Sequence, residues 1–270
     1  KEISRIVTIL SKRIKNNPII LGEPGIGKTA IVEGLVQRIL EGKVPDNLKN
    51  KVIFNLNLTT LISGTKYRGD LEERINNILK DIVDNDDIII FIDEIHTIMG
   101  SGKTDTTTSM ADILKPYLSR GRITIIGATT LNEYKATIEK DGALERRFQP
   151  VILNEPTKEE TFKIICGIKN KYEQYHNVKI DTSIINYIID LSIKYITDRN
   201  LPDKAIDLLD EACVWIKINN KKGKYLTQTA VRNVISTWKN LNISDISNDE
   251  FRKRKILKEK LKCKGTAFHS

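Results

Sequence analysis

The sequence has 270 residues, enough for one large α/β domain and a smaller one, and 40% of its residues are hydrophobic. No apolar run approaches the roughly 20 residues that cross a bilayer, and no targeting segment is visible, so we expect no membrane contact. The three cysteines are scattered without CxxC spacing, which excludes a disulfide framework and a zinc site. This favours a reducing compartment, such as the cytosol. Ile, Lys and Asn are frequent together, as an AT-rich genome would produce, so a plastid-type organelle is the other candidate.

The net charge of +9 would suit a nucleic-acid partner, but an ordinary basic surface is the stronger interpretation. The lysines are spread along the chain. The basic blocks at 221–224 and 252–255 have no aromatic residues between their cations on which bases could stack. We therefore interpret these blocks as solvated faces and expect no nucleic-acid partner.

Strand and helix patterns alternate over the first part of the chain. In chain order they predict a helix at 2–15, a strand at 18–21, a helix at 28–40, a strand at 52–56, a helix at 70–83, and strands at 88–92 and 122–127. The strand at 88–92 is apolar on both faces, as a central parallel strand should be. The alternation predicts an α/β fold with an open parallel sheet and helices on both of its faces.

From Thr157 to Asn242 the sequence shows only helical periodicity. It begins with a capping-box pattern, in which Thr157 is followed three residues later by Glu160. We therefore predict three regions: an α/β sheet domain at 1–154, a small all-helical domain at 155–242, and a polar linker at 243–270.

The loop between the first strand and the second helix carries a phosphate-binding pattern. The pattern G-x-x-x-x-G-K-[ST] is matched in full by Gly22, Glu23, Pro24, Gly25, Ile26, Gly27, Lys28 and Thr29. Glycines allow backbone N–H groups to face phosphates, and the helix N-terminus adds a partial positive charge. Lys28 is placed to reach the β- and γ-phosphates, and the Thr29 hydroxyl to bind Mg²⁺. The loop therefore predicts binding of ATP and ADP with Mg²⁺.

Two acidic residues follow the strand at 88–92. Asp93 is placed to hold Mg²⁺ together with Thr29, and Glu94 to polarise the attacking water. Two carboxylates at the end of an apolar strand would be costly without a cationic partner, which the metal would supply. Alone this pair is weak evidence, but together with the phosphate loop it predicts ATP hydrolysis.

Three further residues are candidates for a role in hydrolysis. Thr130, at the tip of the fourth strand, could contact the γ-phosphate and orient the water, or it could simply begin a turn. Arg146 and Arg147 could neutralise charge on a transferring phosphoryl group, which would make hydrolysis depend on assembly if a neighbouring subunit supplied them. The alternative interpretation of the two arginines is an ordinary surface pair.

The chain resembles the first AAA+ module of Clp-type unfoldases, the ClpA/ClpB/ClpC family, over nearly its whole length. The resemblance is carried by the segments NNPIILGEPGIGKTAIVEGL, GTKYRGDLEERI, FIDEIHTIMGSG, LKPYLSRG, IGATTLNEYKATIEKDGALERRFQPV and DRNLPDKAIDLLDEA. It implies a P-loop NTPase sheet domain followed by a helical lid. It also implies a homo-hexameric ring that hydrolyses ATP to pull unfolded or aggregated polypeptides through a central pore.

The resemblance also implies roles for individual residues. Thr130 matches the sensor, and Arg146 and Arg147 match the arginine fingers that act across the subunit interface. The substrate-gripping pore loop corresponds to Lys66, Tyr67, Arg68 and Gly69. The chain runs from Cys213 to Ala230 without a long coiled-coil insertion, which favours delivery of substrates to a Clp-type peptidase over disaggregation.

Two other functions remain possible from the sequence. His96 follows Asp93 and Glu94 as in DExH helicases, but the arginine-rich motif of a second helicase domain is absent, so we interpret His96 as structural. A nucleic-acid motor or clamp-loader-like ATPase would respond to DNA or RNA instead of unfolded polypeptide. A module that binds ATP without hydrolysing it is disfavoured by the intact Glu94, Thr130 and arginine pair.

Overall fold

The structure is a computed structural model, and it describes residues 1–57, 68–99, 113–219 and 225–241. The chain divides into two compact units, Lys1–Glu155 and Pro156–Ser270. The first unit contains the sheet, and the second is built from helices. The predicted linker at 243–270 lies outside the described residues.

Among the described residues the sheet has five parallel strands, in agreement with the predicted α/β fold. They are β1 (Asn17–Leu21), β2 (Val52–Asn55), β3 (Ile88–Ile92), β4 (Thr124–Thr129) and β5 (Phe148–Ile152). Their order across the sheet is β2-β3-β4-β1-β5, and every neighbouring pair is parallel. The carboxyl ends of β3, β4 and β1 therefore lie side by side at one edge, which is where open α/β sheets bind their ligands.

Helices cover both faces of the sheet. They are α1 (Glu2–Leu10), α2 (Lys28–Leu40), α3 (Arg68–Val83), α4 (His96–Met99), α5 (113–119), α6 (Leu131–Ala136) and α7 (Gly142–Glu145). Successive side chains of a strand point to opposite faces. On β3, Phe91 therefore belongs to the apolar cluster that includes α1 and α2, whereas Ile90 and Ile92 belong to the cluster that includes α3 and α5.

The bounds of α1 and β4 differ most from the predicted ones, whereas those of β1, β2 and α3 differ by one or two residues at one end. α1 ends at Leu10 because the following residues are polar except for Ile14, which is 69% exposed, and because Lys15 has a left-handed φ of 54°. β4 begins and ends two residues later than predicted. Its last residue, Thr129, pairs with Leu21 at the end of β1, so the strand reaches the edge where the phosphate loop begins.

β5 has no counterpart among the predicted elements. Only Phe148 and Val151 of its five residues are buried, so it lacks a long apolar run. Pro150 interrupts the pattern as well, since proline has no N–H to donate to a ladder. The strand forms nevertheless because it lies at the edge of the sheet, where proline is tolerated.

The side chain of Asn17 links three segments of the sheet unit. It is only 2% exposed, and its Oδ1 accepts a hydrogen bond from the Ile125 backbone N–H at 2.7 Å. Its Nδ2 donates to the Arg147 carbonyl oxygen at 3.3 Å. A buried amide without such partners would be destabilising, so Asn17 fixes the start of β1 against β4 and the segment before β5.

The second unit is helical, with its own apolar core. Its described residues form α8 (Lys158–His176), α9 (Thr182–Tyr195), α10 (Asp203–Asn219) and α11 (Gln228–Lys239). Cys213 is buried in this core, and burial raises the pKa of its thiol to about 12. Throughout the described ranges, no helix combines the length and the apolar character needed to span a bilayer.

Candidate active site

The backbone between β1 and α2 is shaped to face an anion. Gly25 and Gly27 have φ angles of 80° and 99°, a left-handed conformation that glycine adopts without strain. Gly27 is the N-cap of α2, and no side chain of the described residues caps this end of the helix. The first N–H groups of α2 therefore retain their partial positive charge for a phosphate.

Gly22, the first residue of the loop, is required for close packing. A Cβ atom at this position would lie 2.2 Å from the Ile26 side chain and 2.8 Å from the Leu153 carbonyl oxygen. The Gly22 N–H donates to the Thr129 carbonyl oxygen at 3.1 Å. The start of the phosphate loop is thereby fixed to the end of β4.

Lys28 directs its ammonium group into the loop. The residue is only 7% exposed, and its Nζ donates to the Gly22 carbonyl oxygen at 2.9 Å and to the Glu23 carbonyl oxygen at 3.4 Å. A buried cation needs such acceptors because burial without them is strongly unfavourable. The ammonium therefore lies where a phosphate held by the loop would meet it.

Thr29 and Asp93 bring the phosphate loop and the end of β3 together. Thr29 Oγ1 donates to Asp93 Oδ2 at 3.0 Å, and Asp93 Oδ1 accepts from the Glu94 backbone N–H at 3.0 Å. A hydroxyl and a carboxylate oxygen are ligands that Mg²⁺ prefers. The residues present therefore fit a magnesium ion shared with a nucleotide.

Glu94 has an unusual backbone conformation. Its φ is 48°, in the left-handed region that a residue with a side chain rarely adopts, and such residues cluster at functional sites. Its carbonyl oxygen accepts from the Thr97 hydroxyl at 2.8 Å. The carboxylate is 49% exposed, and its Oε2 lies 3.3 Å from His96 Nδ1.

A polar cluster next to Glu94 was not predicted. His96 Nδ1 lies 2.9 Å from the hydroxyl of Thr129, a fully buried residue, and 3.2 Å from Glu133 Oε2. The ligand atoms of Glu94, His96 and Glu133 lie within 4.8 Å of one another, a spacing that a metal ion could also use. Hydrogen bonds within the cluster account for these distances, so we assign no metal to it.

Thr130 begins α6 in a capping box. Its hydroxyl donates to Glu133 Oε2 at 2.8 Å and accepts from the Glu133 N–H at 3.3 Å. The T-x-x-E pattern at 130–133 is the signal that would have predicted this helix start. The hydroxyl proposed as a sensor therefore serves the helix, and the neighbouring Thr129 is the one that faces His96.

The two candidate arginines have different surroundings. Arg146 is exposed at the C-terminal end of α7. Arg147 is partly buried, and its guanidinium donates to the carbonyl oxygen of Ser119, the last residue of α5. The structure therefore places Arg146 at the surface and anchors Arg147 to another segment of the same chain.

The predicted pore loop lies largely outside the described residues. Lys66 and Tyr67 are outside them, and Arg68 and Gly69 are described only as the first backbone residues of α3. The role of the loop stays a prediction.

Comparison with known families decides the assignment of the fold. Residues 18–155 match the ATPase family associated with various cellular activities (AAA), and residues 157–261 match the AAA lid domain. The chain belongs to the AAA family of ATPases. This AAA module is thus a nucleotide-binding enzyme that hydrolyses ATP, as the phosphate loop and the acidic pair predict.

Related proteins are of the Clp type, which confirms the predicted resemblance. The chaperone protein ClpB of Clostridium tetani is 55% identical over 218 residues, 80% of this chain and 25% of that protein. The ClpA homologue of Cyanidium caldarium, an ATP-binding subunit of the ATP-dependent Clp protease, is 53% identical over 222 residues, 82% of this chain and 26% of that protein. The AAA module thus spans about a quarter of the length of these curated relatives.

Solved structures of Hsp104 share the fold. The Saccharomyces cerevisiae Hsp104–ADP complex has a TM-score of 0.85 and 41% identity, covering 96% of this chain and 44% of that one. Hsp104 with ATPγS and FITC casein has a TM-score of 0.82 and 42% identity, covering 93% and 43% of the two chains. The similarity extends over the sheet unit and the helical unit.

Proposed function

We propose that this AAA module hydrolyses ATP within a homo-hexameric Clp-type unfoldase, which draws unfolded or aggregated polypeptides through a central pore. The observation that carries the proposal is the hydrogen bond between Thr29 and Asp93, which joins the phosphate loop to the β3 carboxylates. The similarity to Hsp104 complexes with nucleotide and with casein supports a polypeptide substrate over a nucleic acid.

When a nucleotide binds to the phosphate loop, the Lys28 ammonium would exchange its neutral hydrogen-bond acceptors for charged ones. Lys28 now donates to two carbonyl oxygens, and phosphate oxygens at the same place would accept stronger, charge-assisted hydrogen bonds. Thr29 and Asp93 would hold Mg²⁺. When bound, Mg²⁺ neutralises charge on the phosphates and lowers the barrier to their transfer.

Glu94 is the residue proposed to orient and polarise the attacking water. Its half-exposed carboxylate follows Asp93 directly, so a metal held by Asp93 and a water held by Glu94 would be neighbours. Thr130 remains the proposed sensor, in which case its hydroxyl would exchange Glu133 for the γ-phosphate.

Assembly would complete the site. Arg146 and Arg147 are proposed to stabilise transition-state charge in the site of a neighbouring subunit. The exposed Arg146 could reach outward directly, whereas Arg147 would have to release the Ser119 carbonyl. Tyr67 is proposed to grip substrate, because an aromatic ring offers a large contact area that tolerates many sequences. Delivery to a Clp-type peptidase and disaggregation both remain possible outcomes for that substrate.

The test compares two variants of the complete natural protein. Glu94→Gln should retain ATP binding and lower the hydrolysis rate by about 100-fold or more, because loss of a general base costs that much. Lys28→Ala should lose ATP binding itself. Nucleotide titration and steady-state ATP turnover separate the two effects. Normal turnover in Glu94→Gln, or unchanged ATP affinity in Lys28→Ala, would contradict the assignment.

The substrate class is tested by stimulation of the wild-type protein. Casein should raise the rate of ATP hydrolysis, whereas single-stranded DNA or RNA at equal mass should not. Stimulation by nucleic acid alone would favour the alternative motor.

A further inference from the structure

Four polar side chains meet between the ends of β3 and β4: Glu94, His96, Thr129 and Glu133. We propose that His96 is a positioning residue, whose Nδ1–H group orients the Glu94 carboxylate. Thr129 and Glu133 keep the His96 proton on Nδ1. The inference rests on the proposed function, in which Glu94 orients the attacking water.

The direction of the hydrogen bonds follows from Thr129, whose hydroxyl has a single proton. Its Oγ1 lies 2.9 Å from Glu133 Oε2 and 2.9 Å from His96 Nδ1. A carboxylate can only accept, so the Thr129 proton goes to Glu133 and only lone pairs remain toward His96. Nδ1 of His96 therefore carries a proton and donates it.

This assignment requires Glu133 to be ionised, and its surroundings ensure that it is. Partial burial by itself would raise the pKa of Glu133, but hydrogen bonds from Thr130 and Thr129, together with the nearby His96, hold that pKa below its usual value. The donors from Thr130 are its hydroxyl at 2.8 Å and its backbone N–H at 3.1 Å. Glu133 is thus a negatively charged acceptor at neutral pH.

The His96 N–H, which donates to Thr129 Oγ1, also lies close to two carboxylates. Glu94 Oε2 is 3.3 Å from Nδ1, and Glu133 Oε2 is 3.2 Å from the same atom. Two carboxylates this close would repel each other without a donor between them. The N–H dipole attracts the half-exposed Glu94 carboxylate and gives it one preferred direction, toward the end of β4.

The turn that carries these residues is fixed to β4. The Ile95 N–H donates to the Ala128 carbonyl oxygen at 3.0 Å. The Ile95 side chain is fully buried and lies so close to Gly127 that a Cβ there would be 3.0 Å from its Cδ1. His96, the next residue, therefore has a rigid support from which to hold Glu94.

The decisive variants are His96→Leu, His96→Asn and His96→Gln in the complete natural protein. The Asn amide can place an N–H where Nδ1 lies, whereas the Gln amide reaches the position of Nε2. We expect Leu and Gln to lower kcat for ATP hydrolysis about 10-fold with ATP affinity changed less than about twofold, and Asn to restore most of the rate. Steady-state turnover gives kcat, and nucleotide titration gives the affinity.

A second set of variants tests the network without replacing the ring. Thr129→Val removes the hydroxyl that fixes the proton, and Thr129→Ser keeps it. Glu133→Gln removes the charged acceptor, and Glu139→Gln is the matched control, since Glu139 is an exposed glutamate on the same segment. Thr129→Val and Glu133→Gln should slow hydrolysis, whereas Thr129→Ser and Glu139→Gln should not.

The outcomes separate this inference from the proposed function. The positioning role is overturned if kcat is unchanged in all His96 variants, or if Thr129→Val and Thr129→Ser have equal rates. The proposed function would still stand in that case, provided that Glu94→Gln hydrolyses ATP slowly. Normal hydrolysis by Glu94→Gln overturns the proposed function. Loss of thermal stability and ATP affinity with kcat unchanged would identify a purely structural role for His96 and would also overturn the inference.

Discussion

Each of the two units contains a T-x-x-E capping box, and the local geometry is the same in both. At α6, the Glu133 N–H donates to Thr130 Oγ1 at 3.3 Å, and the Thr130 N–H donates to Glu133 Oε2 at 3.1 Å. At α8, the corresponding distances for Thr157 and Glu160 are 3.2 Å and 2.9 Å. In both places the box satisfies N–H groups that the first turn of a helix leaves unpaired.

The surroundings of the two boxes differ. Glu133 also accepts from the buried Thr129 and faces His96, whereas Glu160 is exposed. A pattern that only begins a helix in one unit therefore also supports a polar cluster in the other. The same four-residue motif therefore has one structural role at α8 and a second role at α6, and the residues that surround it make the difference.

The largest effect should come from breaking the core of the helical unit. Leu208→Ala removes a fully buried side chain of α10 and should cost about 2–5 kcal/mol. Because each unit has its own core, amide exchange should accelerate at Glu160 and stay unchanged at Glu133. Hydrogen exchange measures both sites, with the exposed Ile218→Ala on the same helix as control. Equal acceleration at both glutamates would contradict separate cores.

The second effect distinguishes the boxes by function. Glu133→Gln should lower kcat for ATP hydrolysis about 10-fold, because the charged acceptor in contact with His96 is lost. Glu160→Gln makes the same chemical change at the other box and should leave kcat within about twofold. Steady-state turnover decides, and equal losses in both variants would show that any weakened helix start slows hydrolysis.

The smallest expected effect is the pH dependence of helix stability at the two capping boxes. Hydrogen bonds from Thr157 lower the pKa of Glu160, and those from Thr130 and Thr129 outweigh burial and lower that of Glu133. A lowered folded pKa means that each carboxylate stabilises its helix above the ordinary value of 4.5 and loses this as pH falls through the folded pKa.

Backbone amide shifts of Thr130 and Thr157, followed by NMR during acid titration, measure these pKa values. Midpoints below 4.5 are expected for both. A midpoint at or above that value would show that the corresponding box does not favour the ionised carboxylate. The effect on stability should be small because exposed charges are screened by water.

Most of the sheet could be predicted because its central strands are apolar on both faces and follow one another at regular intervals. β5 could not, since an edge strand with Pro150 has neither a continuous nor a strictly alternating pattern. The end of β4 also lies two residues later than predicted. Its pairing with β1 extends the strand through Thr129, and pairing between distant segments leaves no local signal.

The sequence by itself determined the phosphate loop and the acidic pair, because the chemistry of Gly22 to Thr29 and of Asp93 and Glu94 depends on residue types at fixed spacing within one segment. The tertiary structure alone decided that His96, Thr129 and Glu133 meet beside Glu94. The reason is physical: β3 and β4 are distant in the chain, and only their parallel pairing brings their carboxyl ends together.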